Sequence, residues 1–181
     1  WLQLYCVDSV DAESWYNWGV HPGQRAWRQE QYDRYLYSEV VPLMNAKNNN
    51  PFLITAGASF GAYHAMNFGL KHPDKVDRIL AFSGIFDIRG WTEGHRDEYV
   101  YGNNPVEFIQ GEQNPERLRQ LQHLDIIMAT GRDDRLIHNA RTMSGALWSK
   151  GIGNALREWE GWSHDWPYWQ KMILAYIGGH D

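Results

Sequence analysis

The chain has 181 residues, and its 22 aspartates and glutamates outnumber its 17 lysines and arginines, which gives a formal net charge of −5. With 43% hydrophobic and 22% charged residues it has the composition of a folded domain, and no stretch approaches the roughly 20 apolar residues that a membrane span needs. The scattered basic residues and the negative charge argue against a nucleic-acid partner, which requires a clustered cationic face.

Short apolar runs alternate with amphipathic runs along the chain. In chain order they predict a strand over 2–7, a helix over 25–44 that Pro42 should bend or end, a strand over 52–56, a helix over 60–71, strands over 78–83 and 124–130, a helix over 140–150, a strand over 156–159 and a helix over 166–176. Strands separated by helices predict an α/β fold with a mostly parallel sheet and helices on both faces. Residues 84–111 have no sustained period and are expected to form a long excursion at one end of the sheet, where binding sites are often built.

The first predicted strand bears on the domain organisation. Its cysteine, Cys6, is the only one in the chain and lies in an apolar run, so we interpret it as a buried structural thiol. The chain begins at Trp1, directly at the start of a predicted core strand, and no signal peptide is visible. We therefore expect one domain over 1–181 whose N-terminal part is absent, located in the cytoplasm, and the oligomeric state stays open.

A G-x-S-x-G motif follows the second predicted strand. Gly57, Ala58, Ser59, Phe60 and Gly61 stand between a buried strand and a helix with small residues along one face. This context is typical of a nucleophile elbow, in which a sharp turn exposes the serine hydroxyl. The turn should force the serine into a strained backbone conformation, and a side chain at either glycine should collide with adjoining main chain.

A serine hydroxyl needs a base that removes its proton, and the base needs an acid that holds its other nitrogen. In folds with this elbow the order along the chain is serine, then acid, then histidine, each on a loop that follows a strand. Of the eight histidines, His164 lies between the last predicted strand and the last predicted helix, where a loop can reach the elbow. The order Ser59, Asp134, His164 fits this rule.

Several carboxylates compete for the role of the acid. Asp134 stands three positions after Gly131, which suits a tight turn that presents its carboxylate inward. Asp133 remains an alternative, and Asp87 after the third predicted strand is another. Asp165 is expected to cap the last helix.

Five segments together resemble the esterase D branch of the α/β-hydrolases, which is related to enterochelin esterases and antigen 85 mycolyltransferases. The resemblance covers most of the chain, and its most specific part is the histidine segment with its tryptophans and proline. The segments are Gly57 to Gly61, Ala62 to His64, Lys71 to Val76, Gly131 to Asp134 and Ser163 to Trp169. The resemblance implies the α/β-hydrolase fold and cleavage of a small-molecule carboxylic ester without metal or organic cofactor.

The implied mechanism has His164 activating Ser59, Asp134 orienting the imidazole, and the backbone N–H of Phe60 donating to the oxyanion. A second oxyanion donor would come from a loop upstream of Trp1, so we expect a gap in the sheet where the preceding strand belongs. Two alternatives remain, namely an acyltransferase that uses the same three residues and a non-catalytic binding protein on a hydrolase scaffold.

Tryptophans are concentrated in the segments that follow the predicted strands. Ligands of open α/β folds bind at the carboxyl ends of the strands, so these rings are candidates for a substrate-binding wall, with residues 84–111 lying over the active site. The alternative interpretation is that they are buried supports for long loops. The candidates are Trp15, Trp18, Trp91 and Trp162.

Overall fold

The structure is a computed structural model that describes residues 2–179. Within these residues the chain forms two compact units. Unit 1 comprises residues 2–52 and 89–103, and unit 2 comprises residues 53–88 and 104–179. The organisation as one domain stays a prediction.

Unit 2 is built on a parallel sheet of four strands in the order in which they occur along the chain. Each strand pairs with the next, with Ile54 opposite Arg78, Arg78 opposite Asp125, and Ile127 opposite Ala155. The α/β fold is therefore confirmed, and the four strands start within two residues of their predicted positions. The strands are β1 (Ile54–Ala58), β2 (Arg78–Phe82), β3 (Asp125–Gly131) and β4 (Ala155–Trp159).

Along the described residues, eight α-helices come before, between and after these strands in the sequence. No helix there combines the length and the apolar character that crossing a bilayer requires. In chain order the helices are α1 (Pro22–Tyr35), α2 (Val41–Lys47), α3 (Phe60–Lys71), α4 (Glu98–Gly102), α5 (Pro105–Gly111), α6 (Pro115–Leu121), α7 (Ile137–Ser149) and α8 (Trp166–Tyr176).

Alternating strand residues point to opposite faces of the sheet and meet different helices. On one face, Leu80 and Ile127 are completely buried in a cluster with Met172 of α8. On the other face, α3 lies close to β2, and a Cβ atom added to Gly69 would come within 2.5 Å of Ile79 Cδ1. Complete burial of each of these Leu and Ile side chains contributes about 1.5–3 kcal/mol, so the sheet and its helices hold the loops between them in place.

The predicted strand over 2–7 is wrong. Residues 2–10 form no strand or helix, and Leu4 is 81% exposed. The expectation that Cys6 is a buried thiol is also wrong, because this residue is exposed. An apolar run satisfies its backbone as a strand only beside a pairing partner, and the sheet strands of the described residues pair only with one another.

The predicted helix over 25–44 is longer than expected and is not ended by Pro42. It begins at Pro22, where His21 Nδ1 accepts a hydrogen bond from the Gly23 N–H at 3.2 Å. A π-helical turn over Leu36–Val40 joins α1 to α2. Pro42 then falls in the first turn of α2, where a missing backbone N–H is tolerated.

Residues 84–111 contain a 3₁₀ turn over Arg89–Trp91 and the short helices α4 and α5. These pieces have seven residues or fewer, which explains why the sequence shows no sustained period. Residues 89–103 belong to unit 1, and the two ends of the segment belong to unit 2. That the segment lies over the active site stays a prediction.

Candidate active site

Ser59 occupies a strained turn between β1 and α3. Its backbone angles are φ 53° and ψ −117°, a conformation that costs a residue with a Cβ about 1–3 kcal/mol. The Ser59 N–H donates to the carbonyl oxygen of Phe82 at 2.8 Å, so the turn is fixed to the end of β2. The strain predicted for the elbow serine is present.

The two glycines of the motif differ in their surroundings. A Cβ atom at Gly57 would lie 2.1 Å from the carbonyl oxygen of Gly61, so the predicted collision at position 57 is confirmed. At Gly61 a Cβ atom would meet nothing within 4 Å among the described residues, so the predicted collision there is wrong. Gly61 instead provides the main chain that a side chain at position 57 would strike.

His164 is presented by the loop between β4 and α8. The loop reverses direction through Gly161 and Ser163, with φ 75° and 49°, and Ser163 Oγ donates to the Glu160 carbonyl at 3.0 Å. Asp165 then begins the helix, since its side chain accepts from the Trp166 N–H at 2.7 Å. The predicted cap is therefore confirmed, and it fixes the residue that follows His164.

The structure distinguishes Asp134 from its neighbour. Asp134 is buried, and its Oδ2 lies 2.8 Å from His164 Nδ1. The same oxygen accepts from Thr130 Oγ1 at 3.2 Å, while Oδ1 accepts from the Leu136 N–H at 2.9 Å. Asp133 is exposed and contributes only its backbone N–H to this loop contact, at 2.9 Å from the Gly161 carbonyl.

The other carboxylate that competed for this role, Asp87, is engaged elsewhere. Its Oδ1 accepts from Asn104 Nδ2 at 3.1 Å.

The loop that carries Asp134 approaches the histidine loop closely at Gly131. A Cβ atom added to Gly131 would lie 2.2 Å from the Trp162 carbonyl oxygen. Glycine at the end of β3 thus allows the aspartate loop to approach the histidine loop.

Three side chains that are distant along the chain form one line of hydrogen-bond contacts. Ser59 Oγ lies 3.2 Å from His164 Nε2, and His164 Nδ1 lies 2.8 Å from Asp134 Oδ2. The three follow the carboxyl ends of β1, β4 and β3, and parallel pairing brings those ends to one edge of the sheet. The structure therefore assembles the three residues that the sequence selected.

A family model described as "Putative esterase" matches residues 6–178. The chain belongs to this esterase family. Among curated proteins it is 27% identical to an acetyl esterase of Caldicellulosiruptor saccharolyticus, with 81% of this chain and 62% of that protein covered. The chain thus spans about three-fifths of the length of this relative.

Several solved structures show the same fold as this chain. A ferulic acid esterase superposes with a TM-score of 0.64 at 24% identity, covering 78% of this chain and 57% of that one. An S-formylglutathione hydrolase from Agrobacterium tumefaciens gives 0.61 at 15%, covering 77% and 53%. An enterobactin esterase from Shigella flexneri gives 0.57 at 20%, covering 79% and 36%. These likenesses show the α/β-hydrolase fold.

Indole rings flank the imidazole of His164. Trp162 stacks on it with ring centroids 5.7 Å apart and an interplanar angle of 27°, and its side chain is 50% exposed. Trp169 meets it edge to face at 5.2 Å and 68°. The sequence singled out Trp162, whereas the packing of Trp169 depends on a contact with Ser83 that no local pattern reveals.

Phe60 is the first residue of α3, so its backbone N–H lies directly after Ser59. Its ring stacks on Tyr63 with centroids 5.0 Å apart, which anchors the first turn of the helix. This position is compatible with the predicted role as an oxyanion donor. Among residues 2–179, no group of three or more His, Cys, Asp or Glu side chains is placed to hold a metal ion.

The other candidate tryptophans lie in unit 1. Trp15 is completely buried, whereas Trp18 is 57% exposed and lies under the Arg25 guanidinium, 4.7 Å from its central carbon. Trp91 packs edge to face against Tyr16 at 6.1 Å. Their assignment to a substrate wall stays a prediction.

Proposed function

We propose that this chain carries the nucleophile, the base and the acid of a serine hydrolase that cleaves carboxylic esters. The observation that supports the proposal most strongly is the continuous contact from Ser59 through His164 to Asp134, at 3.2 and 2.8 Å. Both distances allow proton transfer and orientation without further movement. Membership of the esterase family favours the same chemistry.

Acylation follows from this geometry. Ser59 Oγ attacks the ester carbonyl carbon while its proton passes to His164 Nε2, which gives a tetrahedral oxyanion and an imidazolium. The buried carboxyl group of Asp134 holds the Nδ1 proton and stabilises that imidazolium. The intermediate then collapses, the bond to the alcohol oxygen breaks, and the His164 proton moves to the departing alcohol.

Deacylation repeats these steps with water. His164 takes a proton from water, the hydroxide attacks the acyl-enzyme carbonyl, and the proton returns to Ser59 Oγ as the carboxylic acid leaves. In both steps the Phe60 backbone N–H, at the N-terminus of α3, donates to the oxyanion. Each oxyanion donor of this kind raises kcat by about 10²–10³-fold.

Trp162 is proposed as part of the substrate-binding surface, because half of its side chain is exposed beside His164. The base must protonate the departing alcohol, so the alcohol portion of the ester lies on the His164 side. A half-exposed indole there offers a flat apolar surface to that portion.

The proposal is tested with the whole natural protein that contains this chain. We expect stoichiometric labelling by a fluorophosphonate probe and hydrolysis of p-nitrophenyl acetate, chosen because a relative is an acetyl esterase. Ser59→Ala should abolish both, and Ser149→Ala, at an exposed serine of α7, should alter neither. Labelling and turnover that persist in Ser59→Ala would refute the proposal, and binding of esters without acylation of Ser59 would favour the non-catalytic alternative.

A further inference from the structure

The indole of Trp169 is held in place from outside the histidine loop. Its Nε1–H donates to Ser83 Oγ at 3.3 Å, and its ring meets the His164 imidazole at 5.2 Å and 68°. Trp169 also packs against the buried cluster that joins α8 to the sheet. One edge of this ring is therefore fixed to the protein core while the ring borders the proposed base.

Ser83 is a rigid anchor for that hydrogen bond. It follows β2, is 1% exposed, and its N–H donates to the Ala129 carbonyl at 2.8 Å. Its φ is 50°, a backbone conformation that glycine adopts without strain and that serine adopts only at a cost in energy. The Ser83 hydroxyl oxygen accepts the hydrogen bond from the Trp169 indole.

The bond from Asp134 fixes only one end of the imidazole. With Nδ1 held at 2.8 Å, the ring can still tilt about that contact and carry Nε2 away from Ser59 Oγ, 3.2 Å distant. Two rings contact the imidazole, Trp162 by stacking and Trp169 edge to face, and contacts of this kind restrict such a tilt. Of the two, Trp169 is the more buried and has the hydrogen bond to Ser83.

We propose that Trp169 is a positioning residue for the His164 imidazole and that Ser83 holds its indole in the orientation this requires. The inference rests on the proposed function, since it concerns the geometry of the proposed base. It predicts that loss of the Trp169 to Ser83 hydrogen bond lowers the rate of the chemical step without weakening substrate binding.

The first test removes each partner of the bond in the whole natural protein. Ser83→Ala and Trp169→Phe should each lower kcat by about 10–100-fold with KM within about twofold, because misplacement of a reacting group by about 1 Å has effects of this size. The double variant should be no slower than the slower single variant, since both changes remove the same bond.

A matched control is available in the same core. Trp159 Nε1 donates to the Tyr176 hydroxyl at 2.9 Å, and neither ring is in stacking or edge contact with His164 among the described residues. Tyr176→Phe removes a comparable hydrogen bond from the same helix and should leave kcat unchanged. Equal losses of kcat in Tyr176→Phe and Ser83→Ala would reduce Trp169 to a structural role and overturn the inference.

A second measurement is independent of turnover. The His164 Nδ1 proton, held by Asp134, should give a downfield proton resonance that broadens in Ser83→Ala and Trp169→Phe and stays sharp in Tyr176→Phe. An unchanged resonance in all three variants would overturn the inference even if the enzyme is active. Absence of Ser59-dependent turnover in the unsubstituted protein would instead overturn the proposed function, and the resonance would still report whether Trp169 orients the imidazole.

Discussion

Asp134→Asn exchanges one oxygen of a buried, fully engaged carboxylate for an NH₂ group. Oδ1 accepts from the Leu136 N–H at 2.9 Å, and Oδ2 faces His164 Nδ1 at 2.8 Å. If the amide NH₂ took the Oδ1 position, two donors would face each other in a buried site at a cost of about 1–3 kcal/mol. The amide oxygen therefore stays on Leu136, and the NH₂ group points at His164 Nδ1.

That orientation forces the wrong tautomer on the imidazole. Nδ1 must then accept a hydrogen bond, so the ring proton moves to Nε2, and Nε2 can no longer take the proton of Ser59. An error of this kind lowers kcat by about 10⁴-fold in serine hydrolases. We expect a loss of that size in the hydrolysis of p-nitrophenyl acetate, with far-ultraviolet circular dichroism unchanged.

Asp133→Asn is the matched control, because Asp133 is exposed and only its backbone N–H serves the loop contact with Gly161. Its kcat should stay within about twofold of the unsubstituted protein, as for most exposed substitutions. The reasoning is refuted if Asp133→Asn loses as much activity as Asp134→Asn, or if Asp134→Asn retains a tenth of the activity or more.

Gly57→Ala places a Cβ atom 2.1 Å from the Gly61 carbonyl oxygen and should lower both the unfolding midpoint in urea and the activity. Gly145→Ala in α7 is the control, because its Cβ atom would meet nothing within 4 Å, and it should raise the free energy of unfolding by about 0.5–1 kcal/mol. Equal unfolding midpoints of the two variants would contradict this expectation. Burial alone would raise the pKa of Asp97, but hydrogen bonds from the Val100 N–H and from His95 outweigh it and lower the pKa below its usual value of 3.8. The ionised carboxylate therefore stabilises the folded state above pH 3.8, and this contribution is lost as the pH falls through the lower folded value. Asp97→Asn should reduce the loss of stability measured by urea titrations in that acidic range, and a curve parallel to that of the unsubstituted protein would count against it.

Local patterns identified most of the elements of unit 2. The helix over 166–176 was predicted at its observed bounds, because Asp165 caps it and its apolar positions have a helical period. The strand predicted over 2–7 is absent although its composition is equally favourable, because a strand also requires a neighbouring strand to pair with. Pro42 does not end the helical segment, because a π-helical turn precedes α2 and places Pro42 in the first turn of α2, where a missing backbone N–H is tolerated.

The candidate site likewise combines residues that local patterns select with contacts that only the folded chain reveals. The sequence by itself selected Ser59 and His164 as the proposed nucleophile and base, because the elbow motif and the position of His164 between a predicted strand and a predicted helix are local patterns. It favoured Asp134 and kept Asp133 as an alternative, since adjacent residues share one pattern and only the folded chain shows which carboxylate turns inward. The tertiary structure alone decided that choice and the anchoring of Trp169 by Ser83, because these contacts join the ends of different strands and depend on how the sheet brings those ends together.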